Sequence, residues 1–423
     1  MKKYNSYKNS GIEWLGNIPE NWSIKRLKDI SNLQFSNVDK KTKDNQKQVL
    51  LCNYVDVYKN DFITSELDFM PSTASDSEIK RFKVQKGDIL CTKDSESFND
   101  IANSAFVLED LENVICGYHL AQIRTNDDLL DPSYLHRLIQ SVNYNFWFSI
   151  NAKGITRVGL SINSFTNAMT PVPPLKEQTA IAHFLDAKTQ AIDKKITLLE
   201  RKIIHYKNLR KSLINEVVTK GLDKTVRLKD SGIDWIGKIP EHWEVKRLKH
   251  LGNLETSSVN KKIEEDEVLV KLVNYMDIYN NPTKEIRNND EFMVVSANNL
   301  QVQFKKLKKG DVLFTPSSET IEDIGVSAVV MEDLKNTLYS YHILRLRFTK
   351  HVDDSFKKYL FNNDFVQTYF SKTAKGTTRK ILGLNDFNSL SIIVPPLNEQ
   401  IEIAEFLDRK TTLITSTITN IET

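Results

Sequence analysis

Two short segments of the sequence combine the residue types that contact nucleic acid. They read KGITR at 153–157 and KGTTR at 375–379. Arg can donate two hydrogen bonds to guanine, Lys and Thr suit phosphate oxygens, and Gly lets a backbone approach closely. Because the two copies are nearly identical, they suit phosphate contact better than base discrimination, and a plain turn is the structural alternative. The candidate contacts are Lys153, Thr156, Arg157, Lys375, Thr378 and Arg379.

Two further polar segments occupy corresponding places but differ in sequence. They are TKDSES at 92–97 and TPSSET at 315–320, and each follows a divergent basic stretch. Difference between the copies favours a role in reading bases, whereas a solvated basic face is the alternative. This second candidate set comprises Arg81, Lys83, Lys93, Ser95, Lys305, Lys306, Thr315 and Ser318.

The sequence contains no signature of an enzyme centre. It has no glycine-rich phosphate loop, no HExxH and no CxxC pair. Asp68, Asp76, Glu78 and Lys80 resemble a metal-dependent nuclease cluster, but the second copy has no counterpart, and such residues are common on solvated faces. We therefore expect a non-catalytic chain that binds no metal or cofactor of its own.

Other conspicuous residues are better explained by packing. Tyr-His recurs at 118–119 and 341–342 without a repeated nucleophile or carboxylate, so we expect satisfied core or interface residues. The unrepeated cysteines Cys52, Cys91 and Cys116 are expected in the core. The frame SGIxWxGxIPExW, which begins at Ser10 and at Ser231, is expected to fix a domain edge by packing.

Composition limits the class of protein. The chain has 423 residues, 40% hydrophobic and 27% charged, with 58 Lys and Arg against 55 Asp and Glu, so its formal charge is only +3. Any nucleic-acid site must therefore be local. Three cysteines in so long a chain predict a reducing compartment, and the sequence shows neither a signal peptide nor a membrane-spanning run. We expect a soluble cytoplasmic protein with no membrane partner.

The two halves of the chain are a tandem repeat. SGIEWLGNIPENWSIKRLK from Ser10 matches SGIDWIGKIPEHWEVKRLK from Ser231, an offset of 231 − 10 = 221 residues. PPLKEQTAIAHFLD from Pro173 matches PPLNEQIEIAEFLD from Pro395, an offset of 395 − 173 = 222. The ends of the unit agree and the middles diverge, as expected of one frame that carries two different surfaces or of loops that drift.

Each repeat is predicted to be an α+β domain followed by a long helix. Segments such as VLLCNYVDVY, GDILCT, NSAFVL and HLAQIRT indicate strands, and DPSYLHRLIQSVNYNFWF and DDSFKKYLFNNDFVQTYF indicate helices. We expect α+β globular domains at 1–172 and 223–394, a long-helix spacer at 173–222, and a second, apparently shortened helix at 395–423, in a pseudo-two-fold arrangement.

The long helix carries a heptad seam. Its apolar residues recur at spacings of three, four or seven, with Arg210 at the skipped position, and the second helix continues the pattern. A run of about 45 residues spans about 65 Å, which favours a coiled coil or bundle spacer over a helix docked on its own domain. The seam comprises Ile192, Ile196, Leu199, Ile203, Tyr206, Leu213, Val217, Ile414 and Ile418.

With these motifs in order twice, the chain strongly resembles the specificity subunit of type I restriction-modification systems. The resemblance rests on the SGIxWxGxIPExW frame, the GITR and GTTR loops, and the PPL-x-EQ helices, and it covers essentially the whole sequence. The departure from the family is the second helix, which is normally about as long as the first.

The resemblance implies that each variable region is a target recognition domain for one half of a split, asymmetric sequence in double-stranded DNA. It also implies two modification subunits docked on the helices, which bring S-adenosylmethionine and flip the target adenine, and restriction and translocase subunits besides. A non-DNA-binding assembly scaffold is the alternative, motivated by the weak net charge and the heptad seam.

Overall fold

The computed structural model describes residues 4–423, which divide into two compact units, 4–195 and 196–423. The division falls within a single long helix, so each part of that helix belongs to the unit on which it packs. The fold class is α+β in both units, as predicted.

The first unit contains fourteen strands and five short helices before the long helix begins. Its strands are β1 (Tyr7–Asn9), β2 (Asn17–Pro19), β3 (Ser23–Arg26), β4 (Ser31–Phe35), β5 (Lys47–Cys52), β6 (Phe62–Ile63), β7 (Met70–Ala74), β8 (Ile89–Thr92), β9 (Asp94–Ser95), β10 (Ser104–Val107), β11 (Val114–Cys116), β12 (Leu120–Thr125), β13 (Val158–Gly159) and β14 (Met169–Val172). Its helices are α1 (Tyr54–Lys59), α2 (Asp76–Phe82), α3 (Pro132–Ile139), α4 (Val142–Asn151), α5 (Ile162–Thr166) and the start of α6 (Leu175–Lys220).

The second unit repeats this plan. Its strands are β15 (Leu228–Asp230), β16 (Lys238–Pro240), β17 (Glu244–Arg247), β18 (Gly252–Thr256), β19 (Val268–Val273), β20 (Glu285–Ile286), β21 (Met293–Ala297), β22 (Val312–Phe314), β23 (Ser317–Ser318), β24 (Ser327–Val330), β25 (Thr337–Tyr339), β26 (Leu344–Phe348), β27 (Lys380–Ile381) and β28 (Ser391–Val394). Its further helices are α7 (Tyr275–Tyr279), α8 (Asn299–Phe304), α9 (Asp354–Phe361), α10 (Asp364–Thr373), α11 (Leu384–Ser389) and α12 (Leu397–Glu422).

Sheet topology is identical in the two units. A five-stranded sheet has the order β4-β12-β8-β10-β6 in the first unit and β18-β26-β22-β24-β20 in the second, and a three-stranded sheet has the orders β11-β5-β7 and β21-β19-β25. In each five-stranded sheet only the outermost pair, β10 with β6 or β24 with β20, is parallel. The tandem repeat predicted from the sequence is thus a repeat of one fold.

The predicted strand VLLCNYVDVY is partly wrong. Strand β5 ends at Cys52, and NYVDVY forms α1 because Asn53 caps it: Asp56 in turn accepts a hydrogen bond from the Asn53 backbone at 2.7 Å. The same capping box opens α7 at Asn274. β-branched residues favour strands only weakly when a cap of this kind competes for the backbone.

The predicted helix after each sheet is two helices. Asp131 caps α3 as expected, but Ser141 accepts a hydrogen bond from the Tyr144 amide and opens α4. In the second unit Asn363 accepts from the Val366 amide and divides α9 from α10. Both residue types compete with helical backbone bonding in the middle of a helix and favour its start.

The long helix lies within the predicted spacer at 173–222, from Leu175 to Lys220. Helix α6 runs for 46 residues and ends before Gly221, whose φ of +74° terminates it in the left-handed region. Its last turns join the core of the second unit, where Ile214, Val217 and Val218 belong to the same cluster as Ile403 and Leu407 of α12.

The tryptophan frame packs each unit against its PPL-x-EQ helix, as predicted. The indole of Trp22 donates to Glu177 of α6 at 3.2 Å, and the indole of Trp243 donates to Glu399 of α12 at 2.9 Å. The frame therefore fixes the edge of the domain on the helix.

The three cysteines are buried, as predicted, and burial raises the pKa of each thiol. In the part of the chain that the structure describes, no helix has both the length and the apolarity needed to cross a bilayer.

Candidate nucleic-acid interface

The KGITR and KGTTR segments form the tips of two matching hairpins. Lys153 and Gly159 exchange backbone hydrogen bonds of 2.9 and 2.8 Å, and Lys375 and Ile381 exchange bonds of 3.0 and 2.8 Å. A side chain at Gly154, whose φ is +141°, would place its Cβ 2.0 Å from the Arg157 carbonyl oxygen. The segment is therefore a turn that requires glycine.

The side chains of these hairpins point into solvent. Lys153, Thr156, Arg157 and their counterparts Lys375, Thr378 and Arg379 are all exposed, and Ile155 is 100% exposed. These residues therefore form a turn and are also accessible to a ligand, so the two alternatives do not exclude each other.

The second candidate segments lie beside these hairpins. Strand β13 pairs with β9, with Val158 opposite Ser95, and β27 pairs with β23, with Lys380 opposite Ser318. Pairing of residues about 60 positions apart brings the two predicted polar segments into one surface in each unit.

Three predicted contacts of that surface are buried, which corrects the expectation. Ser95 is 4% exposed, Ser318 is 4% and Thr315 is 0%. The Ser95 and Ser318 hydroxyls accept from the Ser97 and Thr320 amides, both at 3.3 Å. The Thr315 hydroxyl donates to a carbonyl within the sheet. These hydroxyls stabilise the loops from within the protein, because they form hydrogen bonds with backbone groups.

Lys93 is also engaged within the protein. Its ammonium lies 4.4 Å from the ring centre of Tyr118 and 5.0 Å from that of Phe35, and it donates to the Ser36 carbonyl at 3.3 Å. Burial lowers its pKa. Lys93 therefore supports the aromatic surface as a cation–π partner.

The first unit contains an ion cluster that sequence reasoning missed. Asp94 accepts from His119 Nδ1 at 2.6 Å and from the guanidinium of Arg157, whose Nε lies at 3.1 Å. The second unit has Ser317 at the Asp94 position, and exposed Arg379 has no ion-pair partner among residues 4–423. One hairpin arginine is neutralised and the other is unpaired.

The Tyr-His pairs were predicted in the core or an interface, and the exposure of the tyrosines contradicts the core alternative only. Tyr118 is 50% exposed and Tyr341 is 49% exposed. His342 stacks on Tyr341 with ring centres 3.8 Å apart. Its pKa is lowered by burial, by Arg379 and by Lys261. The recurrence of Tyr-His at the same position of both repeats was the sequence signal that could have assigned these residues to the candidate interface.

A stacked tyrosine pair lies on α1 and again on α7. Tyr54 and Tyr58 have ring centres 5.5 Å apart at 16°, and Tyr275 and Tyr279 repeat this at 5.5 Å and 26°. Tyr58 donates to Asp100 at 2.8 Å, and Tyr54 also bonds the buried Ser95. Tyr58 is exposed and the other three tyrosines are half-buried. Aromatic faces that are open to solvent can stack on bases or sugars. The repeated NYxDxY motif was the available signal.

The remaining basic candidates lie at the end of α2 in the first unit and at the end of α8 in the second. Arg81 and Lys83 are exposed, and Arg81 contacts Gln34 of β4 at 3.3 Å. In the second unit Lys306 is exposed, whereas Lys305 is half-buried and paired with Glu255 of β18. Lys305 is therefore held by an ion pair, whereas Arg81, Lys83 and Lys306 form none within residues 4–423.

The heptad seam is unevenly covered. Ile192 is 57% exposed and Ile196 is 49% exposed, whereas Val217 and Ile414 are buried. The others are half-buried: Leu199, Ile203, Tyr206, Leu213 and Ile418. The part of the seam near residues 192–196 leaves apolar side chains in solvent.

Within residues 4–423, no three His, Cys, Asp or Glu side chains are placed to hold a metal ion. The Asp68, Asp76, Glu78 and Lys80 group agrees with a capping and solvated role, because Glu78 closes the capping box of α2 on Ser75.

Two units of one fold, each with an exposed hairpin beside stacked aromatic rings, define a two-headed binding protein. Residues 19–204 and 240–423 match the family described as type I restriction modification DNA specificity domain. The chain belongs to this family.

The similarity to known proteins of this family extends over nearly the whole chain. The type I restriction enzyme EcoKI specificity subunit of Escherichia coli strain K12 is 22% identical over 419 residues, covering 93% of this chain and 83% of that protein. A chain from a structural study of complex assembly and conformational transition of the type I R-M system has a TM-score of 0.69 at 18% identity, covering 96% and 93% of the two chains. The HsdS subunit from Thermoanaerobacter tengcongensis has a TM-score of 0.57 at 16% identity and the same coverage. The structural likeness establishes the shared fold.

Proposed function

We propose that this chain is the DNA-reading, non-catalytic subunit of a type I restriction-modification complex. Each unit reads one half of a bipartite, asymmetric target in double-stranded DNA. The observation that carries the proposal is the doubled surface, in which an identical hairpin frame lies beside segments that differ between the units. Shared Lys, Thr and Arg residues suit the phosphates that position a protein, and divergent neighbours suit base edges.

The chemistry belongs to partner subunits in this proposal. Modification subunits supply S-adenosylmethionine and transfer the methyl group, and restriction subunits cleave and translocate. The exposed isoleucines near residues 192–196 support docking of a partner on α6, since apolar side chains at heptad spacing favour pairing with another helix. A cytoplasmic location is part of this proposal, and the three free cysteines agree with a reducing compartment.

The test is methyladenine mapping by long-read sequencing in cells that express the modification subunit with and without this chain. We expect a split asymmetric motif only when the chain is present. A variant with Arg157→Gln and Arg379→Gln should reduce methylation at the same motif, because each substitution removes a phosphate contact. Failure of a soluble complex to methylate any new motif would contradict the proposal.

A further inference from the structure

A cleft of about 820 Å³ lies in the second unit, and none of the hairpin residues lines it. Its walls come from the last turns of α6, the loop before β20, helix α9 and helix α12. The volume falls in the range of roughly 300–1,000 Å³ that is typical of small-molecule sites.

Two cations in this cleft have no anion of their own. The buried Lys358 is neutralised by Glu285 at 2.7 Å and Asp408 at 2.6 Å. Arg210 and Lys284 line the same cleft, and neither forms an ion pair with any residue between 4 and 423. The Arg210 Nε atom is buried without a hydrogen-bond partner in that range. An unpaired buried donor of this kind costs free energy unless a ligand accepts from it.

Lys284 is held at the cleft in a strained conformation. Its φ of +58° lies in the left-handed region, which a lysine rarely adopts. The Asn281 side-chain oxygen fixes the turn by accepting from the Lys284 amide at 3.0 Å and from the Thr283 hydroxyl at 2.8 Å. Burial and the neighbouring Arg210 lower the Lys284 pKa, although Asp323 opposes them. Such strain persists where surrounding structure enforces it and is concentrated at functional sites.

The cleft also offers hydroxyl and apolar surface. Thr411, Thr415 and Thr419 line it from successive turns of α12, and Tyr359 and Ile214 contribute apolar faces. Hydroxyls complement the oxygen atoms of an oxyanion, and the apolar faces suit an organic group attached to it.

The first unit provides an internal comparison. It has a smaller cavity of about 430 Å³ at the same place in the repeat, with Thr189 where the second unit has Thr411. Its buried cation, Arg137, is paired with Asp61 at 3.1 Å and Asp186 at 2.7 Å. The triad of one cation and two carboxylates is thus common to both units. The first cavity is also lined by Lys59, which forms no ion pair within residues 4–423, and Arg137 Nη2 is buried there without a hydrogen-bond partner in that range. The second unit differs in having Arg210 and Lys284 together in the lining of one cleft.

We propose that this cleft binds a small phosphorylated ligand, with a phosphate group between Arg210 and Lys284. Arg presents a fork of donors that matches phosphate oxygens, and Lys adds a compact charge beside it. One site is expected in each chain, because the lining of the first cavity has no counterpart of Arg210 and has Asp61 at the position that Lys284 occupies in the second unit. The inference does not depend on the proposed DNA function.

Calorimetric titration of the full-length protein tests the inference. The probes are inorganic phosphate and magnesium-free ATP, each at an ionic strength held constant with KCl. We expect saturable binding of one equivalent of ATP, and Arg210→Gln and Lys284→Asn each to weaken it about tenfold because each removes a charged phosphate contact. Asn tolerates the left-handed conformation, so Lys284→Asn removes the charge and keeps the turn. Lys207→Gln, on the exposed side of α6, and Lys59→Gln, at the first cavity, are controls that should bind like the native chain.

The outcomes separate the two sources of the phosphate group. ATP that binds more tightly than phosphate indicates that the organic part is recognised, and equal affinity indicates free phosphate; both support the site. No saturable binding, two equivalents per chain, or full binding by the double variant that carries both Arg210→Gln and Lys284→Asn overturns the inference. Weaker DNA retention by the double variant, with no binding of either probe, would assign the cleft to the DNA surface and also overturn it. Unfolding midpoints of the variants without ligand show whether each variant folds. If Arg210→Gln does not fold, Lys284→Asn alone is used for the test.

Discussion

At Asp94 the two units differ by one charge at the centre of an otherwise shared surface. Its carboxylate pairs with Arg157 in the first unit, whereas Ser317 leaves Arg379 unpaired in the second. A phosphate that approaches the first hairpin must compete with an internal carboxylate. The second hairpin therefore presents the stronger positive potential.

Asp94→Asn is expected to strengthen binding of the complex to non-specific duplex DNA. It frees Arg157 for one more phosphate contact, so the plot of log affinity against log salt should steepen by about 0.9. The reciprocal change Ser317→Asp, which gives Arg379 an internal partner, should weaken binding and flatten the slope by a similar amount. Fluorescence anisotropy at several salt concentrations measures both, and unchanged slopes in the pair would show that these arginines do not meet phosphates.

His136 makes the first unit sensitive to acid. It is 1% exposed, its Nδ1 lies 3.1 Å from the Ser104 hydroxyl, and burial lowers its pKa to about 4. Because the unfolded chain protonates this histidine near pH 6.5 and the folded chain does not, stability is complete above that pH and falls as pH drops from about 6.5 to about 4.

The His136→Gln variant should flatten this acid dependence. The native contribution amounts to at most about 3 kcal/mol of unfolding free energy at the acid end of the window. Urea unfolding of the first unit's transition at several pH values measures it. A native slope that persists in the variant would assign the acid sensitivity to other groups.

At the scale of elements, a buried ion triad ties each sheet to its long helix. In the first unit Arg137 of α3 joins Asp61, beside β6, to Asp186 of α6. In the second unit Lys358 of α9 joins Glu285 of β20 to Asp408 of α12. Arg137 and Lys358 occupy neighbouring, not equivalent, positions of α3 and α9. Each nevertheless pairs with the aspartate that ends the sequence FLD, which is Asp186 in α6 and Asp408 in α12.

Asp186→Asn and Asp408→Asn should each destabilise their own unit by about 2–3 kcal/mol. Each leaves a buried cation with one carboxylate instead of two, and the partly exposed aspartates keep the cost below that of a fully buried pair. Chemical denaturation measures the effect, and Glu200→Gln, at an exposed position of α6, is the matched control. A loss equal to that of the control would show that the triad adds no stability.

At the scale of the whole molecule, the repeat predicts modular recognition. Replacing residues 34–152 with the corresponding segment of another specificity subunit should change one half of the methylated motif and leave the other half intact. The replaced segment contains the divergent loops but leaves the hairpin frame in place. Long-read methylation mapping reports both halves together, and a change in both halves would contradict independent reading by the two units.

The sequence by itself determined the features that depend on short-range or repeated patterns. The offset of about 222 residues, the bounds of α6 and the packing of the tryptophan frame could all be predicted, because periodicity, capping residues and duplication are local properties of a chain. The prediction was wrong where a helix-capping residue opposed the propensity of its neighbours. At Asn53 a predicted strand is the helix α1, and at Ser141 one predicted helix is divided into α3 and α4.

Only the tertiary structure decided which candidate residues are available to a ligand. Strand pairing between residues far apart in sequence brought the two polar segments together but buried Ser95, Thr315 and Ser318 beneath them. It also placed Lys93 between aromatic rings, Arg157 against Asp94, and Arg210 in a cleft with Lys284. Burial and pairing of charges are set by neighbours in space, and a single sequence does not specify those neighbours at the level of individual side chains.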